Sequence, residues 1–297
     1  MQRTLDRPGD TVIRRPRMAR RVVLNRLGIY ILLIGVGLFF VLPLLWMISE
    51  AFKPQEEWYQ PNLIPLKPTL QNFNVLFQPG AAATESAPLL RWLGNSSFVA
   101  LISAAAGLIV SAPAAYAYGR LDFPGKKLMF GVLIYTLLIP GVLFLTPNFI
   151  IVSNLGWLNT YQALIIPGLG GTFGVFFLRQ FFLSLPTEME EAMLIDGAGL
   201  LRILWQLVIP LSKGALATLF VLGVLGSWNE YTWALITMTD DNMLTLPVGL
   251  AKFQGQYANF PGYLMAGALL ASAPVLILFA LMQRFIVESI ATVGLKQ

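Results

Sequence analysis

The sequence contains no cysteine and no histidine in its 297 residues. Their absence excludes disulfides, thiol nucleophiles, imidazole general bases and the metal sites that these two residue types supply. Charged residues are also scarce, at 12%, about half of the share of roughly 25% found in soluble domains. Apolar residues make up 56% of the chain, and the mean hydropathy is +0.68. These values indicate a polytopic membrane protein, and no polar stretch is long enough to form a soluble domain.

Six apolar runs are long enough to cross a bilayer, which takes about 20 residues per helix. The predicted spans are residues 27–49, 93–117, 128–152, 163–182, 207–236 and 263–285. The fifth is overlong, so we expect it to begin as a cytoplasmic turn before Pro210. The predicted fold class is therefore all-α, a polytopic membrane protein with six transmembrane helices.

Basic residues favour the cytoplasmic side of short loops, and their distribution sets the predicted orientation. With six spans, sixteen of the 20 Lys and Arg residues fall on the side that holds both chain termini. The opposite side holds only Lys53, Lys67, Arg91 and Lys252. We therefore predict cytoplasmic termini, a basic N-terminal arm (residues 1–26) that touches anionic lipid, and a single transmembrane domain (residues 27–297).

The longest segment between spans is the outer loop, residues 50–92. Its prolines rule out a long helix, but "PTLQNFNVLF" is compatible with a short helix lying at the membrane surface. We predict that this loop caps the spans and does not form a domain.

A charged stretch, "EEAMLIDGAGLLRILWQLVIP" (residues 190–210), separates the fourth and fifth predicted spans. Thr187 is predicted to be the N-cap of a helix, with Glu190 three residues later completing a capping box. We expect Gly197 and Gly199 to break this helix or to let another backbone approach closely, and Gly197 to need either a positive φ or such an approach. An apolar helix then resumes at Leu200. The prediction is a short helix, a glycine bend and a second helix.

The spacing of this stretch resembles the Glu-Ala-Ala loop of permease subunits in binding-protein-dependent ABC importers. The residues in register are Glu191, Ala192, Met193, Gly197, Leu207, Ile209 and Pro210, with Asp196 before the glycine. Other segments resemble carbohydrate-uptake permeases of the maltose-transport type, among them "RWLGNSSFVA", "AAYAYGRLDFPGKKL", "SWNEYTWALI", "TLPVGLAKFQGQY" and "QRFIVESIATVGLKQ". The resemblance extends over nearly the whole chain, although Val293 and Gln297 stand where glycines are common in the family.

The resemblance implies a permease subunit that moves a mono- or oligosaccharide into a prokaryotic cell across the inner membrane. It implies that a helix in the loop 184–210 docks on a cytoplasmic ATPase. The residues implied in this coupling are Glu191, Ala192, Met193, Asp196, Gly197 and Pro210. The implied partners are a homologous second permease, two ATPase subunits and an extracytoplasmic solute-binding protein, with no nucleic acid.

ATP and Mg²⁺ are expected on the ATPase subunits, and this chain is expected to bind no cofactor or metal. Its nearest approach to a phosphate-binding loop is "GRLDFPGKKL", in which the glycine spacing is one residue too long. Lys127 also stands where a Ser or Thr would hold the magnesium ion. We interpret this stretch as a basic cytoplasmic turn and expect no catalytic residue in the chain.

One acidic residue, Glu230, lies within a predicted span. Together with Trp228, Asn229, Tyr231 and Trp233, it is a candidate to line the substrate pathway, where this stretch would bind sugar hydroxyls and stack on a ring face. The alternative is that Glu230 packs against a neighbouring helix or subunit near the outer end of the span. Asn148 is a second pathway candidate.

The fourth span contains a Gly170-x-x-x-Gly174 pattern, which predicts close helix contact, with the second permease as a plausible partner. Three other functions are compatible with parts of the sequence. One is a permease of the same superfamily for a polyol, glycerol phosphate, amino acid or peptide. The others are an integral membrane enzyme, for which only Glu230 offers a reactive group, and a passive scaffold, which would not need the coupling loop.

Overall fold

The computed structural model describes residues 20–77, 89–256 and 258–294. Most of the predicted basic arm lies outside these residues, as do Lys296 and Gln297 of the tail. The described residues form helices and no β-strand. The helices are α1 (Arg20–Phe52), α2 (Gln71–Phe77), α3 (Leu89–Arg120), α4 (Lys126–Thr136), α5 (Leu145–Asn154), α6 (Tyr161–Ile165), α7 (Thr172–Leu183), α8 (Glu188–Ile195), α9 (Leu200–Ile203), α10 (Ile209–Leu211), α11 (Lys213–Trp228), α12 (Thr232–Thr237), α13 (Leu246–Gln256) and α14 (Pro261–Gly294).

The chain divides into two units, Met1–Met47 and Ile48–Gln297. In the first unit, the apolar side chains of α1 between Leu27 and Leu45 are exposed. A continuous apolar helix satisfies its own backbone groups and is stable in hydrocarbon, so this exposure is expected of a helix that lies in lipid. The second unit contains the remaining helices and both hydrophobic cores.

Three of the described helical stretches are each long and apolar enough to cross a membrane: Arg26–Phe52, Leu89–Arg120 and Pro261–Leu281. They correspond to the first, second and sixth predicted spans. The other three predicted spans are each bent pairs of helices, so the described residues contain up to six spans if each pair crosses once. The all-α membrane fold is confirmed, and the predicted spans at residues 128–152, 163–182 and 207–236 are broken helices.

Each break has a local cause. The third span bends by 95° between α4 and Gly141–Asn154, where Pro140 lacks an N–H and restricts the residue before it. The fourth bends by 45° within the glycine-rich residues 168–171. In the fifth, the segment Leu200–Leu211 meets α11 at 81°, two residues after Pro210. A separate segment before α11 fits the expected turn, although α11 ends at Trp228 and not near residue 236.

The core of the second unit forms where α3 packs against α7 and α11. A Cβ on Gly174 of α7 would lie 2.7 Å from the Ser111 hydroxyl oxygen of α3, so only glycine allows this approach. A Cβ on Gly170 would meet no atom within 4 Å. The predicted close contact is therefore confirmed at Gly174, and its partner is α3 of the same chain.

The outer loop is held by buried polar groups. The Lys53 ammonium, which is 0% exposed, pairs with Glu50 at 2.8 Å. Asn72 of α2 donates hydrogen bonds to the Ala51 carbonyl at 2.9 Å and to the Lys53 carbonyl at 2.8 Å. These bonds explain why the predicted short helix forms as α2, because its amide side chain ties it to the end of α1.

Glu57 closes the same loop. Its carboxylate accepts hydrogen bonds from the backbone N–H of Leu66 at 2.9 Å and of Lys67 at 3.2 Å. The bond from Leu66 is the main reason why the pKa of Glu57 lies below its ordinary value. The ionised carboxylate therefore stabilises the loop.

Candidate functional site

The stretch from Thr187 to Leu211 forms a short helix, a glycine bend and a second helical run, as predicted. We refer to these residues, 187–211, as the bent segment. Its first helix, α8, ends at Ile195, and Gly197 then adopts a φ of +79°. The Ala198 N–H donates to the Met193 carbonyl at 2.9 Å, and the Gly197 N–H donates to the Leu194 carbonyl at 3.0 Å. This pair of bonds is the Schellman motif, which satisfies the last carbonyls of α8 and reverses the chain.

The structure shows which of the two predicted reasons, a positive φ or a close backbone approach, requires a glycine at position 197. A Cβ on Gly197 would meet nothing within 4 Å, so the left-handed backbone and not a close approach requires the glycine. Gly199 has an extended backbone, with φ −75° and ψ 162°, and a Cβ there also meets nothing within 4 Å. Gly199 therefore lies in the predicted break between α8 and α9, but no close approach requires a glycine there.

The predicted capping box does not form. Thr187 has a helical backbone, with φ −74° and ψ −28°, and its side chain forms no capping hydrogen bond at the start of α8. Glu190 does not reach back to Thr187, because its Oε1 atom lies 3.1 Å from the Nε atom of Arg120. Glu190 therefore forms a tertiary ion pair with Arg120 in place of the local hydrogen bond of the capping box.

The Arg120 cluster, made of Tyr116, Arg120 and Glu190, joins α8 to the end of α3. The ion-paired side chains of Arg120 and Glu190 are only 7% and 13% exposed. The Tyr116 side chain lies near the Glu190 carboxyl. The Arg120 Nη2 atom donates a hydrogen bond to the Leu185 carbonyl at 2.5 Å. Burial raises the pKa of the Glu190 carboxyl, and this effect outweighs the lowering by Arg120 and Tyr116. Sequence reasoning missed this cluster, since Arg120 and Glu190 are 70 positions apart.

The rest of α8 faces away from the chain. Glu191, Ala192 and Asp196 are exposed, and Met193 is half-buried against the core. Met189, Leu194 and Ile195 of this helix are apolar and exposed, with Ile195 87% exposed. The second half of the bent segment is anchored instead, because Ile203, Leu204 and Val208 are buried in the core. Pro210 is exposed just before the bend that leads into α11.

A cavity of about 730 Å³ lies between α3, α5, α7 and α11. Most of its lining is apolar or glycine. Its polar side chains are Ser103, Ser111, Asn148, Ser227, Glu230, Thr232 and Trp233. Glu230 is the one charged residue among the described residues that line it. The volume falls in the range of roughly 300–1,000 Å³ found for small-molecule sites.

The structure brings Asn148, Glu230 and Trp233 from the predicted pathway residues into this lining and leaves three others outside it. Trp228 is buried in the core. Asn229 donates a hydrogen bond to the Leu225 carbonyl of its own helix at 2.8 Å, and Tyr231 does not line the cavity.

Glu230 lies in the break between α11 and α12, not within a continuous span. Its Oε1 atom accepts a hydrogen bond from the Trp233 N–H at 2.8 Å, which satisfies a backbone donor at the start of α12. Trp233 itself lines the cavity, and its indole N–H donates to the Ala163 carbonyl at 2.8 Å. The sequence analysis grouped Trp233 with Glu230, and the structure places the two residues side by side in the lining.

Comparison with known families gives a match over residues 107–291 to the family described as binding-protein-dependent transport system inner membrane component. The matched region covers well over half of the chain and includes the bent segment and most of the cavity lining. The chain belongs to this family. The resemblance noted in the sequence is thereby confirmed.

Relatives of this permease include proteins named for the transport of sugars and of sn-glycerol-3-phosphate. The arabinooligosaccharides transport system permease protein AraQ of Halalkalibacterium halodurans is 33% identical over 260 residues, 86% of this chain and 91% of that protein. The trehalose/maltose transport system permease protein MalG of Thermococcus litoralis is 32% identical over 281 residues, 93% and 99% of the two chains. The sn-glycerol-3-phosphate transport system permease protein UgpE of Brucella abortus is 30% identical over 275 residues, which cover 91% of this chain and 97% of that protein.

The permease fold also matches a solved structure. A chain in the crystal structure of a bacterial ABC transporter involved in the import of the acidic polysaccharide alginate superimposes with a TM-score of 0.77. The superposition covers 91% of this chain and 99% of that chain, with 22% sequence identity. At this identity the likeness establishes the fold alone.

Proposed function

We propose that this permease moves a sugar into the cell, driven by ATP hydrolysis on separate ATPase subunits. The observation that carries the proposal is the cavity, which places an amide, a carboxylate, hydroxyls and an indole among apolar spans. A few polar groups in a mostly apolar concave site are the usual means of orienting a small ligand. AraQ and MalG, whose names refer to sugars, support the same substrate class.

Within this chain, Asn148 and Glu230 are the residues proposed to bind sugar hydroxyls. Asn148 offers both a donor and acceptors, and Glu230 has a second carboxylate oxygen besides the one that accepts from Trp233. The Trp233 ring lies beside them in the lining and offers a flat apolar surface to a sugar ring. Trp228, Asn229 and Tyr231 are not part of this proposal, because they do not line the cavity.

A phosphorylated solute is the second candidate, since UgpE belongs to a glycerol-phosphate system. Phosphate sites in proteins rely on Arg or Lys side chains, which pair with the phosphate oxygens. No lysine or arginine is found among the described residues of the cavity lining, and its one charge is negative. The charge of the site therefore favours a neutral sugar over a phosphate ester.

The exposed α8 is proposed as the contact with the ATPase. A short helix with exposed apolar and charged side chains has the form of a segment that docks in a groove on a partner. Glu191, Ala192 and Asp196 would lie at that interface, with Met193 and Gly197 fixing the end of the helix. Pro210 would set the bend that carries its motion into α11. ATP and Mg²⁺ would bind the ATPase and not this chain.

The proposed assembly contains a homologous second permease, two ATPase subunits and an extracytoplasmic binding protein that delivers the sugar. The family description supports the binding protein. The excess of basic residues on one side of the predicted spans supports an inner membrane orientation with both termini in the cytoplasm.

The proposal is tested by reconstituting the complete complex in lipid vesicles with its binding protein and a panel of sugars. We expect one class of neutral sugar to stimulate ATP hydrolysis and to accumulate inside the vesicles. Stimulation by glycerol phosphate but by no sugar would favour the second candidate. ATP hydrolysis that responds to no solute and drives no uptake would contradict both.

A further inference from the structure

The geometry points to Glu190 and Arg120 as positioning residues that hold α8 to the end of α3, so that displacement of α8 is passed to the cavity. This inference rests on the proposed function for its consequence in transport. The anchoring itself concerns this chain alone.

The contact between Arg120 and Glu190 is a nearly buried ion pair and not a surface one. Exposed ion pairs contribute little to stability, because solvent screens them and the two side chains lose freedom. Here the Nε–Oε1 distance is 3.1 Å and both side chains are nearly buried. The Tyr116 side chain, one helical turn before Arg120, also lies near the Glu190 carboxyl. Arg120 further holds the chain just before α8 through the Leu185 carbonyl.

The neighbouring carboxylate shows the contrast. Glu190 and Glu191 are consecutive residues of one short helix, but Glu191 is exposed and forms no ion pair within the described structure. Glu190 points into the chain and Glu191 is free to meet a partner. One position therefore serves attachment within the subunit, and the next serves attachment between subunits.

The helix that Glu190 joins leads directly to the cavity. α3 is unbroken from Leu89 to Arg120 and contributes Ser103, Ala104, Gly107 and Ser111 to the cavity lining. At Ser111 it is in close contact with Gly174 of α7. Coupling between sites travels through packed elements of this kind when both sites bias their arrangement. A force on α8 would thus reach α3 through a side-chain contact, besides reaching α11 through the backbone at Pro210.

The first arm of the test measures the anchoring without any ATPase. The chain has no cysteine, so a single Ala192→Cys substitution allows a nitroxide label on the exposed side of α8. We expect Glu190→Gln to increase label mobility in lipid, and Tyr116→Phe to increase it less. Glu191→Gln, the matched control, should leave mobility as in the parent. Unchanged mobility in both Glu190→Gln and Tyr116→Phe, at normal membrane levels, would overturn the anchoring.

The second arm measures coupling in the assembled complex. Glu190→Gln should lower solute-stimulated ATP hydrolysis about tenfold, within the range usual for coupling between two sites, while ATPase subunits still bind. Glu191→Gln should instead weaken the binding of the ATPase. Equal loss of ATPase binding in both variants would overturn the division of roles. If the parent complex shows no stimulation by any solute, the proposed function has failed, and the mobility arm still decides the anchoring.

Discussion

Replacing Gly197 with alanine isolates the cost of the left-handed backbone at the end of α8. The φ of +79° is strained for any residue with a Cβ, by roughly 1–2 kcal/mol. The space around the position is open, since an added Cβ would meet no atom within 4 Å. The whole cost therefore comes from the backbone. This cost should weaken the two hydrogen bonds that close the Schellman motif, which the N–H groups of Gly197 and Ala198 donate.

Gly199→Ala is the matched control, because Gly199 has an extended backbone and equally open surroundings. Hydrogen exchange at the Ala198 amide in lipid measures the local opening. A loss of 1–2 kcal/mol corresponds to faster exchange by a factor of about 5–30. Gly197→Ala should show this increase and lower sugar uptake at normal membrane levels, whereas Gly199→Ala should do neither. Gly197→Val should speed the exchange and lower the uptake more than Gly197→Ala does. Equal exchange and uptake in the Gly197 and Gly199 variants would refute the bend as a mechanical element.

Three further predictions follow from the described contacts. Glu230→Gln keeps an acceptor for the Trp233 N–H and for the solute but removes the charge, so we expect solute binding to weaken by about 1 kcal/mol with normal assembly. A loss of assembled complex instead would mean that Glu230 packs against a neighbour. Folding lowers the pKa of Glu57 from 4.5, so near this pH the unfolded chain binds more protons than the folded one. Thermal stability should therefore fall as the pH drops through the lowered pKa. Glu57→Gln should abolish this dependence. Gly174→Leu should reduce the amount of folded protein, whereas Gly170→Leu, at an open position, should not.

Hydropathy predicted where the chain meets the bilayer but not how it breaks within it. The spans at α1, α3 and α14 follow directly from long apolar runs. Pro43, Pro113 and Pro274 lie inside these helices, which continue through them. At Pro140 the chain bends sharply instead. A proline alone does not distinguish these outcomes, because neighbouring elements decide whether the freed carbonyl finds another partner.

The local signals at the bent segment were reliable for the backbone and unreliable for side chains. Gly197 predicted the bend correctly, since few other residues adopt a positive φ. The capping box at Thr187 and Glu190 was wrong, because a buried arginine 70 positions away competes for the same carboxylate. Of the pathway residues predicted from their chemistry, Asn148 and Glu230 line the cavity, whereas Trp228 faces the core. Which side of a helix faces a cavity depends on packing that an all-apolar span does not encode.

Crosslinking at Ala192 tests most directly whether an ATPase drives this chain through α8. Ala192 is exposed, and the native chain has no cysteine to compete with an introduced one. Ala192→Cys should crosslink to a cysteine placed in a surface groove of the partner ATPase, with a yield that changes between ATP-bound and nucleotide-free complexes. Glu191→Lys in the same chain should lower the yield and abolish uptake. A crosslink that is absent in every nucleotide state, or one that is insensitive to both nucleotide and Glu191→Lys, would contradict the account.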